Sequence, residues 1–244
     1  MTVRRLLAPL LVALAVAACS GDGPGYKDPI LGGEARARVR VANATTSIAS
    51  AQLYVGNDAF GNTAPLVGFA LDCFDVPLDQ PISFRATGAT ATLATLSNPG
   101  LASGRSYTVV LYGRGSALQI GVLSDDAVPT LTGESNGIRF FNTTSAAGDV
   151  YLTTPDIALP ATPTVSALAV GQSTLGGSAF GTYPIASTLV RFYDVGVRTG
   201  IPRITAPVSQ ASLSDHRTWT FMLSEEITVG NASVSFLVPT CPTS

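Results

Sequence analysis

The chain has 244 residues, with 14 basic and 16 acidic side chains, 12% charged residues and 46% hydrophobic ones. A mildly acidic, charge-poor chain with a single lysine, Lys27, offers no electrostatic footprint for nucleic acid or an anionic membrane face. Its apolar content supports a folded core and excludes a disordered coil. Glycine, proline, serine and threonine punctuate it too often for long helices, so the expected class is all-β.

Residues 1–18 read as a bacterial lipoprotein signal. Arg4 and Arg5 form a positive start, Leu6 to Ala15 an apolar stretch broken only by Pro9, and Val16-Ala17-Ala18-Cys19 a small-residue cleavage site ending in cysteine. The apolar run is shorter than the about 20 residues a spanning helix needs. The pattern resembles the lipobox, in which Cys19 carries diacylglycerol on sulfur and becomes the acylated amino terminus. Two or more acyl chains hold a protein stably, at about 0.8 kcal/mol per buried methylene. Ser20 in the next position resembles the outer-membrane default of Gram-negative lipoproteins.

The glycine- and proline-rich stretch that follows has no periodicity, so residues 19–35 are expected to be a lipidated cysteine and flexible tether. Alternation begins at Ala37-Arg38-Val39-Arg40-Val41, with the arginines on one face and the valines on the other, the period of a half-buried strand. Further strands are expected at Ala51–Val55, Pro65–Ala70, Pro81–Ala86, Thr90–Leu96, Ser106–Tyr112 and Ala117–Leu123. So many short strands in about ninety residues predict a sandwich.

The pattern then restarts. Arg40-Val41-Ala42-Asn43-Ala44-Thr45 is echoed by Arg139-Phe140-Phe141-Asn142-Thr143-Thr144, and Gln52-Leu53-Tyr54-Val55 by Asp149-Val150-Tyr151-Leu152. Arg105-Ser106-Tyr107-Thr108-Val109-Val110-Leu111 likewise matches Arg217-Thr218-Trp219-Thr220-Phe221-Met222-Leu223. The expected organisation is a first sandwich at 36–126, a linker at 127–136 and a second sandwich at 137–244, both antiparallel and immunoglobulin-like. Tyr107 and Trp219 are expected in the cores. Asn43 and Asn142 are expected to make Asx-type turn bonds. With Cys19 lipidated, Cys73 and Cys241 remain as an even pair in an oxidising compartment and are expected to form a disulfide, the alternative being two separate thiols.

The segments Ala37–Ala44, Leu53-Tyr54-Val55, Ser106–Val110 and Leu118–Asp126 together resemble the bacterial "domain of unknown function 4397" family. The resemblance implies secreted or lipid-anchored proteins with tandem β-sandwich domains, and implies no activity. The first repeat departs from the family pattern, with Thr45-Thr46-Ser47 in place of Ser-Pro-Asp and Gln52 in place of an acidic residue that Asp149 keeps in the second.

No catalytic constellation emerges. The one histidine, His216, adjoins Asp215, and neighbours on extended backbone point to opposite faces, so the aspartate cannot orient the imidazole. One histidine and two distant cysteines give zinc no ligand spacing. Asp72, Asp75 and Asp79, and the pair Asp125-Asp126, are expected as solvated loop carboxylates, since neither group matches a calcium loop. Glu225 and Glu226, after a strand, are expected to face opposite ways and so to make no glycosidase pair. Gly171-Gln172-Ser173-Thr174-Leu175-Gly176-Gly177 lacks the lysine of a phosphate loop. The sequence therefore implies no catalytic residue, cofactor or metal. It implies a non-enzymatic binding or adhesion module in the bacterial cell envelope, at the outer membrane, anchored to the membrane through the lipid on Cys19, with an envelope protein or polysaccharide as partner and no nucleic acid. A structural scaffold without a ligand is the alternative reading, and a hydrolase a third, with only His216 and scattered acids behind it.

Overall fold

The computed structural model describes residues 35–133, 135–174, 180–184, 189–208, 218–224 and 235–241. Cys19, the signal and the rest of the tether lie outside them, as do Asp215, His216, Glu225 and Glu226. Among the described residues no helix is long and apolar enough to cross a membrane. Residues Ala35–Ser244 form one compact unit.

Every regular element described is a strand. The first half contains β1 (Arg36–Asn43), β2 (Ser50–Val55), β3 (Asp58–Pro65), β4 (Gly68–Phe69), β5 (Phe74–Pro77), β6 (Ile82–Ala86), β7 (Thr92–Leu96), β8 (Ser106–Arg114) and β9 (Ala117–Ser124). The second half contains β10 (Ser135–Asn142), β11 (Gly148–Thr153), β12 (Val165–Leu168), β13 (Gly181–Pro184), β14 (Leu189–Asp194), β15 (Ile204–Pro207), β16 (Thr218–Leu223) and β17 (Phe236–Pro239). In the first half one sheet runs β4-β1-β8-β9 with β5 also on β1, and the other runs β3-β2-β6-β7. The second half repeats this plan as β13-β10-β16-β17 and β12-β11-β14-β15. The sequence repeat is therefore a repeat of topology, and strand β10 begins inside the stretch expected as linker.

Pairing is antiparallel except at one place in each repeat. β1 runs parallel to β8, with Arg40 opposite Thr108, and β10 runs parallel to β16, with Arg139 opposite Thr220. Parallel neighbours need a long crossover, and here the other sheet of the same repeat supplies it.

Each repeat has its own core. Val39, Val41, Leu53, Phe84, Val109 and Leu111 pack together in the first, and Ile138, Phe140, Val150, Phe192, Trp219 and Phe221 in the second. A third cluster lies between the repeats, where Ala42, Val110, Tyr112 and Leu123 of the first meet Phe141, Met222 and Val238 of the second. On β1, β8, β10 and β16 the alternate side chains go to the two sides, so these strands are covered on both faces. The molecule is thus four layers of sheet, with the β1 and β10 sheets facing each other inside. This corrects the half-buried reading of β1 at Arg40, which is buried, with Phe69 and Cys73 against its guanidinium.

The expected strand at Pro65–Ala70 is instead the end of β3, a turn with Val67 at φ 45°, and the short β4. Strand β3 is not among the expected strands because Asp58–Pro65 is largely exposed and carries no alternation.

Candidate functional site

The register of the two parallel pairs brings Arg40, Thr108, Arg139 and Thr220 to the face between the repeats. At the end of β9, Asp125 donates its backbone N–H to the Ser106 carbonyl at 2.7 Å, which fixes it over the same face. Its side chain pairs with Arg139, Nη2 to Oδ1 at 2.7 Å, both side chains being 0% exposed. Arg139 also donates from Nε and Nη2 to Thr220 Oγ1, at 3.0 and 2.7 Å, and from Nη1 to the Ser124 carbonyl. Its guanidinium lies 4.5 Å from the Phe180 ring centroid. Thr108 Oγ1 and the Cys241 backbone N–H donate to Asp125 Oδ2 at 2.9 and 3.4 Å.

Burial pushes the Asp125 carboxyl up and the Arg139 guanidinium down from their ordinary values, and the pair's mutual attraction and hydrogen bonds oppose both shifts. A buried charge pair persists when its remaining hydrogen-bonding capacity is satisfied. Here two threonines and two backbone groups satisfy much of it. The expectation that Asp125 is a solvated carboxylate is therefore overturned: the strand end it occupies is covered by the second repeat. Asp72, Asp75 and Asp79 are exposed.

Arg40 occupies the position in the first repeat that Arg139 holds in the second, yet forms no ion pair with a described carboxylate. Its Nη2 approaches Cys73 Sγ at 3.2 Å, its guanidinium lies 5.6 Å from the Phe69 ring centroid, and its buried Nε has no described partner. Burial lowers its pKa, Asp125 and Asp72 act in the opposite sense, and Arg38 adds to the lowering. The cause lies in one difference between the repeats. Asp125 N bonds to the Ser106 carbonyl as Thr240 N bonds to the Thr218 carbonyl, so Thr240 stands where Asp125 would have its counterpart. Of the two buried arginines, Arg139 is paired with a described carboxylate and Arg40 is not.

Beside Arg40, Cys73, in the loop between β4 and β5, is joined to Cys241, just past β17, with Cα atoms 5.9 Å apart. That separation is ordinary for a disulfide. The expected pair is thus brought together, across the two repeats. Further along the junction, Phe69, Pro207, Trp219, Phe221, Ser235 and Phe236 line an apolar pocket of about 370 Å³.

Other residues singled out in the sequence have structural roles. Tyr107 and Trp219 are buried, one in each core. Asn43 Oδ1 accepts from the Thr45 N–H and hydroxyl while Nδ2 donates to the Ile48 carbonyl. Asn142 repeats this with Thr144 and the Ala146 and Leu168 carbonyls. Asp149 and Gln52 both sit where register shifts in a strand pair. Asp149 accepts from the N–H groups of Ala167 and Gly196 at 2.7 and 2.8 Å, whereas Gln52 donates to the Phe60 carbonyl at 2.7 Å. The two repeats brace the same irregularity with opposite hydrogen-bonding polarity. In the glycine-rich stretch Gly171 N–H donates to the Asn142 carbonyl, and residues 175–177 lie outside the described ones. Among the described residues no group of three or more His, Cys, Asp or Glu could hold a metal ion.

Sequence reasoning missed Arg40, Arg139, Thr108 and Thr220 as a set. The available signal was that both repeats keep an arginine and a threonine at matching places in a chain so poor in charge. Comparison with protein-family models and with curated proteins returned no match.

Proposed function

We propose that this chain is a lipid-anchored bacterial envelope protein, held at the outer membrane through Cys19, with two immunoglobulin-like sandwiches of the "domain of unknown function 4397" type that act as a non-catalytic binding or adhesion module. The observation that carries the binding reading is the aromatic-lined pocket at the repeat junction, whose about 370 Å³ falls within the range of small-ligand sites. The lipobox carries the anchoring reading, and a cross-repeat disulfide suits an oxidising compartment. An envelope protein or polysaccharide is the proposed partner.

Trp219 is the sole tryptophan and lines the pocket, so its fluorescence reports occupancy directly. Titration with purified envelope polysaccharide should give a saturable shift that Phe236→Ala weakens at least tenfold. Proximity labelling from the anchored protein should enrich the same partner class. No fluorescence response together with no enriched neighbour would favour the second reading, a ligand-free envelope scaffold, which the fused four-layer body supports. Cys19→Ala should abolish palmitate labelling and globomycin-sensitive processing, and equal labelling of both forms would remove the anchoring proposal.

A further inference from the structure

The Cys73–Cys241 bond lies in an electrostatic setting that a purely structural disulfide does not require. Arg40 is 6% exposed, and Asp125, the nearest buried carboxylate, is committed to Arg139 at 2.7 Å. Its other described neighbours are a phenyl ring and a disulfide sulfur, and sulfur in a disulfide is a weak acceptor. A cation held out of water has no hydrogen-bonded anion among the described residues, Asp125 and Asp72 acting on it without direct contact, and the atom 3.2 Å away becomes one when the bond opens. The two cysteines also differ in access, Cys73 being half-buried and Cys241 3% exposed.

We propose that Cys73–Cys241 is a thiol–disulfide exchange site, opened by an external dithiol, at which Arg40 holds the released Cys73 sulfur as a thiolate. The external thiolate attacks Cys73 Sγ, the more accessible sulfur, and the bond to Cys241 breaks. Cys241 leaves as a thiolate and takes a proton. The second thiol of the reagent then attacks its own sulfur in the mixed disulfide, and Cys73 departs as a thiolate against Arg40. The reagent is oxidised by two electrons to its cyclic disulfide. Of its two protons one ends on Cys241 and one in solvent. Opening removes the covalent tie between Cys241, just past β17, and the first repeat, and leaves the hydrogen bond from the Cys241 N–H to Asp125 to hold that end.

The charges facing Cys73 act in both directions. Arg40, in contact with the sulfur, favours the thiolate, and the adjacent Asp72 opposes it; Arg40 is itself acted on by Arg38, Asp72 and Asp125, the last paired with Arg139 on β10. Direct contact makes Arg40 the dominant member of this set.

Peptide-resolved alkylation of the full chain tests the assignment. In Cys241→Ser the free Cys73 should be alkylated by iodoacetamide at pH 7 at least about tenfold faster than in the Arg40→Met/Cys241→Ser double variant, since the thiolate is the nucleophile. Equilibrated against graded reduced and oxidised dithiothreitol, wild type should open at a dithiol-to-disulfide ratio about tenfold lower than Arg40→Met, with Arg40→Lys close to wild type. Equal rates and equal ratios would overturn the proposal. Should Arg40→Met fail to fold, the pH midpoint for alkylating Cys73 in native Cys241→Ser decides alone: it should fall below that of the same chain in guanidinium, and a midpoint at or above the unfolded one overturns the proposal.

Discussion

Arg139 is the most enclosed charge in the described structure, and its value lies in what it prevents. Replacing it by methionine leaves Asp125 buried with only Thr108 and the Cys241 N–H for company. Breaking a buried pair from one side costs about 3–5 kcal/mol, so Arg139→Met should lower the denaturant midpoint by that equivalent. Asp125→Asn combined with Arg139→Met should cost clearly less than the sum of the two single changes, because both remove the same interaction. Strict additivity in that double-mutant cycle would refute the assignment of the pair as one unit. At this scale the sequence was partly legible. The asparagines and the cysteine pair follow from local turn chemistry and from counting. Arg40 and Arg139 do not, because alternation tells which side of a strand a residue faces and not whether a second sheet covers that side.

Among the elements, β9 shows how closely the inner sheets approach. A Cβ on Gly121 would lie 2.8 Å from the Phe141 ring of the other repeat, so Gly121→Ala should destabilise by about 1–3 kcal/mol through overpacking. Calorimetric or denaturant unfolding would show it, and an unchanged midpoint would place the repeats further apart than described. Tyr112 on β8 meets Phe141 edge-on at 5.4 Å and donates its hydroxyl to Gln119 Oε1 at 2.8 Å. Burial raises its pKa, so the fold favours the neutral phenol. The stabilisation is complete below the ordinary tyrosine value of about 10 and is lost as pH climbs through the raised one. Wild type should therefore lose stability between pH 9 and pH 11 more steeply than Tyr112→Phe, and parallel profiles would exclude the linkage. Strand existence was legible wherever alternation was strong, as in β1, β2, β6 and β8. β3 and β5 were not, since they are held by pairing to neighbours and show little pattern of their own.

For the whole molecule, the inner cluster and the Arg139–Asp125 pair join the repeats independently of the disulfide. Unfolding of residues 35–244 should accordingly be a single cooperative transition with matching calorimetric and van't Hoff enthalpies. Two resolved transitions would show the repeats to be thermodynamically separate. Replacing both Cys73 and Cys241 by serine opens a loop of 168 residues, which should lower stability by on the order of 5 kcal/mol in the chain-entropy account. The transition should remain single, because the apolar junction is untouched. Tandem organisation was legible from the repeated segments. Fusion of the two units was not, because the strands that meet are far apart in sequence, and their junction face carries Arg40 on β1 and Arg139 on β10 while β8 and β16 read as near-continuous hydrophobic runs.

The facing of the β1 sheet on the β10 sheet has a consequence for symmetry. Each repeat contributes its equivalent sheet, with Arg40 and Thr108 on one side answering Arg139 and Thr220 on the other, so the junction has the isologous character of a homodimer interface. The chain behaves as a dimer whose protomers are covalently linked, which keeps the two faces at high effective concentration and removes any dependence of their pairing on dilution. Covalent linkage also lets the halves diverge, as an exact homodimer cannot. One half keeps Asp125 where the other has Thr240, and that difference leaves Arg139 paired with a carboxylate while Arg40 rests against the disulfide.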